Sequence, residues 1–513
     1  MRHAEATYDN IVVGAGSAGA PLVRRLVNAG RRVLLIEAGE PVTRSGFDKI
    51  ELSLRSLWRT EVDWGYDTEP QQHADGQRLH WPRGKTLGGS SAICGLVYTR
   101  GLASDYDGWA AAGCDGWDYA SVVRSFVASE DFSGPRSAHR GVGGLLPVST
   151  NQSSSPVSRA FIAAAKEWGV PEIDDYNTAE PLGASMCQHT VRDGRRMHAW
   201  EVFGKDVESE PGLTIHTGAF VTKLLFAGEK CIGVSYQVGG QERRAYADDD
   251  IVLSAGVVGS PRILLASGIG PADDLSSLGI DVRVDLPSVG ANLHDHVRCS
   301  VVWSAKKPVQ AVPGLVAEAH VFWRSKPALA APDLLPLLLT IPVPVDGYPL
   351  VNQGFSCSPI VVGVHSRGRL RLRSADPAVP PAIDPAIFSD TRDLDAMVAC
   401  LEMVREIGAQ QAFDEWRAEE IAPGRGVRDR SQLRAYAKRV ADTPHHPAGT
   451  CRMGNDPDAV VDPQLRVQGV GGLRVADVSI MPSVTSGNTN APAIMIGERA
   501  AEFLLNSDLR QRR

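Results

Sequence analysis

The N-terminal segment at residues 8–39 constrains the fold of this chain more than any other stretch. Its parts, in order, are an apolar run at 11–13, a turn with glycines at 14, 16 and 19, a segment with helical character at 20–29, and a second apolar run at 33–36. An acid, Glu37, follows directly. This order and spacing predict a β-α-β unit of about 30 residues that binds a dinucleotide at the N-terminus of its helix.

Each glycine of the turn has a separate predicted role. Gly14 permits the tight turn, Gly16 lets the backbone approach a pyrophosphate, and Gly19 lets the helix pack closely on the strand. Ser17 and Ala18 complete the same predicted phosphate-binding turn.

The acid at the end of the second apolar run predicts a contact with the adenosine half of the ligand. Glu37 is expected to accept hydrogen bonds from the ribose hydroxyls, with Ala38 beside it, and to repel a 2′-phosphate. The unit alone does not distinguish FAD from NAD, so the rest of the chain has to decide.

Length, charge and cysteine usage narrow the remaining possibilities. A chain of 513 residues predicts two or three domains. The net charge of −7 comes without a long block of like charges, which argues against a nucleic-acid or membrane partner. The most apolar stretch, 334–345, is short and contains prolines, so it predicts a buried strand. Residues 1–7 are polar, and no Cys-x-x-Cys pair suggests zinc or disulfides, so a cytoplasmic location is expected.

A second glycine-rich run lies at residues 82–101. Its centre, Gly88-Gly89-Ser90-Ser91, combines backbone donors with small side chains, which suits close approach to a flat or phosphorylated ligand. A flexible loop is equally compatible with this composition.

Residues 82–101 resemble the first signature of the glucose-methanol-choline (GMC) oxidoreductases, and residues 14–37 match the place where that family binds FAD. The resemblance implies flavin contacts at Cys94 and Gly95, although most members carry Asn at the first of these positions. Members with a covalent flavin have His just before it, where this chain has Ile93. We therefore expect FAD to be bound non-covalently.

Residues 254–270 resemble the second family signature, in which a short helix begins near Ala255 and Gly256 and faces the cofactor. Strand patterning precedes this helix at residues 213–216, 221–226, 232–236 and 251–253. The resemblance places the backbone of Val221 near the adenine.

The adjacent pair Asp295-His296 invites comparison with a catalytic triad. However, no Gly-x-Ser-x-Gly nucleophile elbow is present in the sequence. We therefore interpret the pair as part of a structural turn, and residues 286–296 resemble a family turn that closes on the cofactor.

The composition changes between about residues 300 and 430. Apolar alternation at 355–364 and 368–373 predicts an antiparallel sheet, covered by a helix at 393–407. The predicted class is α/β (α+β overall), with a Rossmann-like FAD-binding domain interleaved with a substrate domain built on an antiparallel sheet covered by helices. We assign residues 1–150, 213–298 and 441–513 to the FAD-binding domain, and 151–212 and 299–440 to the substrate domain.

Two C-terminal stretches, 443–454 and 473–492, contain the candidate catalytic residues. On sequence alone, His445 and His446 are interpreted as loop residues. The family resemblance assigns the base to the His of a His-Pro-x-Gly-Thr motif, here His446, and the partner of the substrate oxygen to Asn488. It also implies that the cofactor site is completed by Asp477, Asn490, Ala491 and Pro492.

The combined prediction is an FAD-dependent alcohol oxidase or dehydrogenase. It would oxidise a small, possibly aromatic primary alcohol, such as a pyridoxine- or furan-type alcohol, to the aldehyde. His446 would take the hydroxyl proton as hydride passes to flavin N5, and oxygen or another acceptor would take the electrons. Two alternatives remain open: hydroxynitrile-lyase-type C–C cleavage on the same fold, and a choline-type alcohol dehydrogenase.

Overall fold

The computed structural model describes residues 7–42, 47, 49, 56–150, 154–179, 181–311 and 314–511. Within these ranges the α-helices are α1 Gly19–Asn28, α2 Ala103–Ala111, α3 Tyr119–Ser129, α4 Pro156–Trp168, α5 Gly256–Ala266, α6 Ala272–Ser277, α7 Thr391–Gly408, α8 Arg430–Val440 and α9 Asn490–Gln511. Shorter 3₁₀ turns lie at Gly89–Ile93, Lys205–Val207, Gln411–Phe413 and Val478–Ile480, and a π-helical turn lies at Trp200–Gly204.

A five-stranded parallel sheet forms the first core. Its strand order is Leu213–His216, Val33–Ile36, Asn10–Val13, Ile251–Leu253 and Leu473–Val475. Every strand except the first is buried along its whole length, which explains the continuous apolar runs in the sequence. The strands predicted at 11–13 and 33–36 are confirmed, and the helix predicted between them is α1, which begins one residue earlier than expected.

Smaller sheets surround this core. A four-stranded sheet has the order Thr7–Tyr8, Gln241–Ala247, Lys230–Val238 and Ala219–Ala227, and a three-stranded sheet has the order Glu130–Phe132, Leu146–Thr150 and Gln188–His189. Two-stranded pairs are Tyr66–Asp67 with His80–Trp81, Val191–Arg192 with Arg195–Arg196, Ile269–Gly270 with Val284–Asp285, Val297–Arg298 with Ile360–Val361, and Arg369–Arg371 with Ala382–Asp384.

A six-stranded antiparallel sheet forms the second core. Its strand order is Arg417–Ala422, Val301–Ala305, Gly354–Ser358, Leu337–Leu339, Ala317–Phe322 and Gly183–Met186. Helices α4 and α7 bury their apolar side chains against this sheet. The predicted sheet and its helical cover are therefore confirmed, and so is the overall fold class.

One part of the sheet prediction was wrong. Residues 368–373 do not join the six-stranded sheet, because Arg369–Arg371 pairs with Ala382–Asp384 instead. The backbone N–H groups of Gly368 and Leu370 donate to the carbonyls of Leu293 and Gly290, which ties this hairpin to the turn before Asp295. Apolar alternation predicted a strand here but could not identify its partner.

The two main sheets draw strands from distant parts of the chain. The parallel sheet combines strands from the first 40 residues with strands near 215, 252 and 474, whereas the six-stranded sheet takes Gly183–Met186 as an edge strand. The exact five-segment domain boundaries remain a prediction. In the part of the chain that the structure describes, no helix combines the length and apolar character needed to cross a membrane.

The packing of α1 against the glycine turn gives a stability prediction. A Cβ atom on Gly19 would lie 2.0 Å from the carbonyl oxygen of Gly14, so Gly19→Ala forces the helix away from the sheet. We expect the free energy of unfolding to fall by about 1–3 kcal/mol and the bound flavin to decrease. Gly108→Ala, on an exposed part of α2 with no atom within 4 Å, is the matched control. Thermal unfolding and flavin absorbance of the two variants check this, and equal behaviour of both would contradict it.

Candidate active site

A cavity of about 530 Å³ extends from the glycine turn of the parallel sheet to the face of the six-stranded sheet. Both predicted catalytic residues, His446 and Asn488, line it. The predicted cofactor residues that also line it are Gly14, Gly16, Ser17, Ala18, Glu37, Ala38, Gly89, Ser90, Cys94, Gly95, Val221, Ala255, Gly256, Asp477 and Asn490. Four further predicted cofactor residues do not appear in its lining: Gly19, Gly88, Ala491 and Pro492.

Two glycine turns meet at one end of the cavity. Gly14 has a φ of +104°, and a Cβ atom there would lie 2.4 Å from the carbonyl oxygen of Ser254. A Cβ atom on Gly89 would lie 2.8 Å from the Cα of Gly16. The N–H of Gly88 donates to the carbonyl of Ala15 at 2.9 Å, which links the two turns directly. The two turns therefore leave backbone, without side chains, facing the cavity.

Glu37 holds the first turn as well as lining the cavity. Its Oε2 accepts a hydrogen bond from the N–H of Ala15 at 3.0 Å, and its Oε1 accepts one from the N–H of Gly39 at 2.9 Å. Burial raises the pKa of this carboxyl group to about 7. The sequence pattern predicted a ribose contact for Glu37 but did not indicate its hydrogen bonds with the turn backbone.

The N-terminus of α9 reaches the same end of the cavity. The Ser17 hydroxyl donates to Oδ1 of Asn490 at 2.7 Å, which ties the first turn of the chain to its last helix. Ala491 and Pro492 continue the first turn of α9 behind this contact. Their effect on the cavity is therefore through the position of Asn490.

Asp477 orients the start of α5. Its Oδ2 accepts hydrogen bonds from the N–H of Gly256 at 2.9 Å and from the Ser260 hydroxyl, and its Oδ1 accepts one from the N–H of Ser479 at 2.8 Å. Burial raises the pKa of this carboxyl group. The residue thus connects the C-terminal stretch to the helix that follows the fourth parallel strand.

Cys94 closes a local turn at the cavity wall. Its Sγ accepts a hydrogen bond from the N–H of Leu96 at 3.4 Å and donates to the carbonyl of Ser91 at the same distance. The preceding Ile93 is buried in an apolar cluster with Leu57 and other hydrophobic residues. Ile93 stands where some family members carry the flavin-linking His, and its side chain has no reactive atom.

His446 lies between Asn488 and a second histidine. Its Nε2 is 2.9 Å from Nδ2 of Asn488, and its Nδ1 is 3.1 Å from Nδ1 of His296. The side chain is buried, with 6% of the residue exposed. The sequence predicted only a structural turn at His296 and did not indicate this contact. The Asp-His pair was the available signal, but the contact joins residues 150 positions apart.

Asp295 fixes the loop that carries His446. Its Oδ1 accepts a hydrogen bond from the backbone N–H of His446 at 2.9 Å, and its Oδ2 accepts one from the Thr443 hydroxyl. Because both contacts are to the loop and not to an imidazole, the interpretation as a structural turn holds for Asp295. Burial raises its pKa to about 7.

The surroundings of His446 favour its neutral form. Burial is the main cause that holds its pKa well below the usual range. The neighbouring His296 and His445 and the positive charges of Arg83 and Arg298 lower the pKa further. The imidazole therefore lies in a cavity where a proton acceptor, and not a cation, is the stable species.

Several cavity residues were not foreseen from the sequence. Arg262 donates from Nη2 to the carbonyl of Val221 at 2.9 Å, and its guanidinium lies 4.2 Å from the ring centroid of Phe220. Trp64 and Tyr66 stack beside this group with centroids 5.8 Å apart. The aromatic character of residues 64–66 is visible in the sequence, but no local pattern indicates that Trp64 packs against Phe220, the ring that faces Arg262.

Comparison with known proteins decides the family. The GMC oxidoreductase N-terminal and C-terminal regions match residues 8–298 and 364–497. The chain belongs to the GMC oxidoreductase family. It is therefore an FAD-dependent oxidoreductase, and the predicted resemblance is confirmed.

Two curated relatives of this GMC oxidoreductase span almost its entire length. The mitochondrial choline dehydrogenase of Homo sapiens is 37% identical over 531 residues, which cover 97% of this chain and 89% of that protein. The oxygen-dependent choline dehydrogenase of Sinorhizobium fredii is also 37% identical, over 97% of this chain and 95% of that protein.

Solved structures agree with the same architecture. The pyridoxine 4-oxidase of Mesorbium loti has a TM-score of 0.94 and 34% identity, covering 97% of this chain and 99% of that one. A variant of the formate oxidase of Aspergillus oryzae RIB40, studied for its effect on FAD modification, has a TM-score of 0.91 and 25% identity, with coverage of 98% and 99%.

Proposed function

We propose that this GMC oxidoreductase oxidises a primary alcohol to the aldehyde, with His446 as the base that takes the hydroxyl proton. The observation that carries this proposal is the pairing of a buried imidazole with an amide at the cavity wall, His446 Nε2 being 2.9 Å from Asn488 Nδ2. Both groups face a cavity that continues to the glycine turns, as a long dinucleotide requires.

The two side chains divide the work on the alcohol group. The neutral imidazole of His446 accepts the proton as the hydroxyl loses it, and the Asn488 amide donates a hydrogen bond to the oxygen as negative charge develops. His296, on the opposite side of the His446 ring, positions that ring through the contact between the two Nδ1 atoms. Asp295 positions the same residue through its backbone.

The cavity lining supports the proposed assignment of the cofactor site. The exposed backbone at Gly14, Gly16 and Ser17 would bind the FAD pyrophosphate, because the turns leave no side chain in its path. The adenosine half would contact Glu37 and Val221. At the ring end, the candidates are Ser90, Cys94, Gly95, Ala255, Asn490 and Asp477. Bound FAD would supply the hydride acceptor, and the proposed final electron acceptor is oxygen or another oxidant.

The substrate we propose is a small primary alcohol, such as a pyridoxine- or furan-type alcohol. The support is a structural neighbour that oxidises pyridoxine and a cavity end formed largely by aliphatic side chains such as Leu337, Leu339 and Ile360. A cytoplasmic location is also proposed, on the scattered cysteines that all remain free thiols.

Removal of the base tests the assignment directly. His446→Ala should slow anaerobic flavin reduction by a primary alcohol by about 10²–10⁴-fold, because the hydroxyl proton loses its acceptor. The adjacent His445→Ala is the matched control, and we expect its rate to change less than about tenfold. Stopped-flow absorbance of the flavin measures both rates. An unchanged rate in His446→Ala would rule out the assignment.

The lowered pKa of His446 predicts the pH dependence of the reaction. A base with a depressed pKa stays unprotonated until the pH falls through that lower value, so activity persists below the usual histidine pKa of about 6.5. A profile of kcat/KM between about pH 5 and 9 checks this. An acid limb centred at or above about pH 6.5 that disappears in His446→Ala would contradict the predicted direction.

We also propose that FAD is bound non-covalently. Ile93 offers no nucleophile, and the thiol of Cys94 is engaged with backbone groups of its own turn. Acid precipitation of the holoprotein should therefore release all of its flavin into the supernatant. Flavin retained in the pellet would show a covalent bond, and its loss in Cys94→Ala would identify the attachment residue.

A further inference from the structure

We propose that the substrate is an uncharged alcohol with a mainly apolar body, that Arg298 excludes quaternary ammonium alcohols, and that the Ser358 hydroxyl contacts the substrate body. This inference rests on the proposed alcohol oxidation and names its substrate class. It predicts that choline is a poor substrate of this protein, although choline dehydrogenases are among its relatives.

Arg298 places a permanent positive charge at the wall of the cavity. It belongs to the strand Val297–Arg298, and its backbone pairs with Ile360, which also lines the cavity. The guanidinium donates from Nε and Nη2 to the same oxygen of Asp442, at 2.9 Å and 2.5 Å. Asp442 is the more exposed partner, with 42% of its side chain accessible against 19% for Arg298. Arg298 is part of the cavity lining, whereas its partner Asp442 is not.

A cationic ligand would find no uncommitted carboxylate in the described lining of the cavity. Among the described lining residues, the carboxylates are Glu37 and Asp477. Both already accept backbone hydrogen bonds, Glu37 at the first glycine turn and Asp477 at the start of α5. The desolvation of a quaternary ammonium group here would be uncompensated, and Arg298 would add repulsion.

The aromatic residues do not form a cage for a cation either. The guanidinium of Arg262 lies over the Phe220 ring, and the Lys85 ammonium lies 5.0 Å from the Trp64 ring centroid, so cations of the chain already occupy these two rings. Tyr66 stacks on Trp64. The remaining tryptophan of the described lining, Trp58, packs edge-on against His445 with centroids 5.1 Å apart. A quaternary ammonium group needs several aromatic faces around it, which this end does not supply.

Among the described cavity-lining residues of the six-stranded sheet, one hydroxyl has no hydrogen-bond partner. Along the strand Gly354–Ser358, Phe355 and Cys357 point into the second core, while Ser356 and Ser358 occupy the alternate positions. Ser356 is engaged, because its hydroxyl donates to a carbonyl at 3.0 Å and accepts an N–H at 2.8 Å. Ser358, only 1% exposed, lines the cavity, and its hydroxyl has no hydrogen-bond partner in the described structure.

The surroundings of Ser358 make its hydroxyl a specificity element. Its cross-strand partner is Leu337, and Leu339 and Ile360 contribute further aliphatic wall. An unpaired hydroxyl in such a wall favours a substrate with a polar group that can form a hydrogen bond with it. An aromatic alcohol with a ring hydroxyl or a ring nitrogen has this combination of an apolar body and one polar group.

A matched pair of alcohols tests the charge exclusion in the wild-type holoprotein. Choline and 3,3-dimethylbutan-1-ol have the same shape and differ by the positive charge. We expect the uncharged alcohol to reduce the flavin anaerobically with a second-order rate constant at least roughly 100-fold above that of choline. An equal or faster reaction with choline would overturn the inference and leave alcohol oxidation intact. Failure of these and of aromatic primary alcohols to bleach the flavin would overturn the proposed function itself.

The Arg298→Gln variant assigns the exclusion to this residue. The substitution keeps the two backbone hydrogen bonds between residues 298 and 442, which are 2.8 and 2.9 Å long, so we expect the strand to keep its structure. We expect the preference for the uncharged alcohol to narrow by at least about tenfold, mainly through a lower KM for choline. Arg434→Gln, which breaks a comparable pair with Asp395 outside the cavity, should leave the preference unchanged. If both variants changed the preference for the uncharged alcohol equally, the exclusion of choline could not be assigned to Arg298.

The Ser358 contact has a separate readout. Wild-type protein should prefer one of the hydroxybenzyl alcohol isomers over benzyl alcohol, and Ser358→Ala should abolish that preference, mainly by slowing the reaction with the preferred isomer. Ser358→Thr, which restores a hydroxyl, should recover part of the preference. A uniform loss with all of these alcohols in Ser358→Ala would show a structural role and contradict the proposed contact.

Discussion

The close contact between the first turn of the chain and its last helix holds the active site together. Ser17 bonds to Asn490 across 473 positions of sequence, and a Cβ atom on Gly497 would lie 2.1 Å from the carbonyl oxygen of Ala18. Arg25 and Glu498 extend the contact with an ion pair at 2.7 Å. Because Asn488 lies just before α9, this packing places it beside the cavity that begins at the glycine turn.

The electrostatic character of the site follows from what is buried around His446. Its loop is held by the buried Asp295, and its ring contacts His296. The cations Arg83 and Arg298 lower its pKa. Burial, His296 and the two arginines disfavour a further positive charge, whether on the imidazole itself or on a ligand. The same arrangement therefore supports a neutral base in the proposed reaction and an uncharged alcohol as its proposed substrate.

Local sequence patterns predicted the elements better than their partners. The unit at residues 8–39 was visible because its strands, turn and helix are consecutive, and the family resemblance supplied FAD and the candidates His446 and Asn488. The contact of His296 with His446 and the engagement of Arg298 by Asp442 join residues 150 and 144 positions apart. Periodicity and turn chemistry carry no information on such pairings, which are set by packing of the two cores.

The most direct test of the account is the stoichiometry of an anaerobic single turnover. Holoprotein mixed with an excess of an aromatic primary alcohol should lose its oxidised-flavin absorbance and form one aldehyde per flavin reduced. Both products should appear at the same rate, because proton removal by His446 and hydride loss from the carbinol carbon belong to one oxidation. Aldehyde released from a cyanohydrin while the flavin stays oxidised, with no alcohol bleaching it, would contradict the account and favour a lyase.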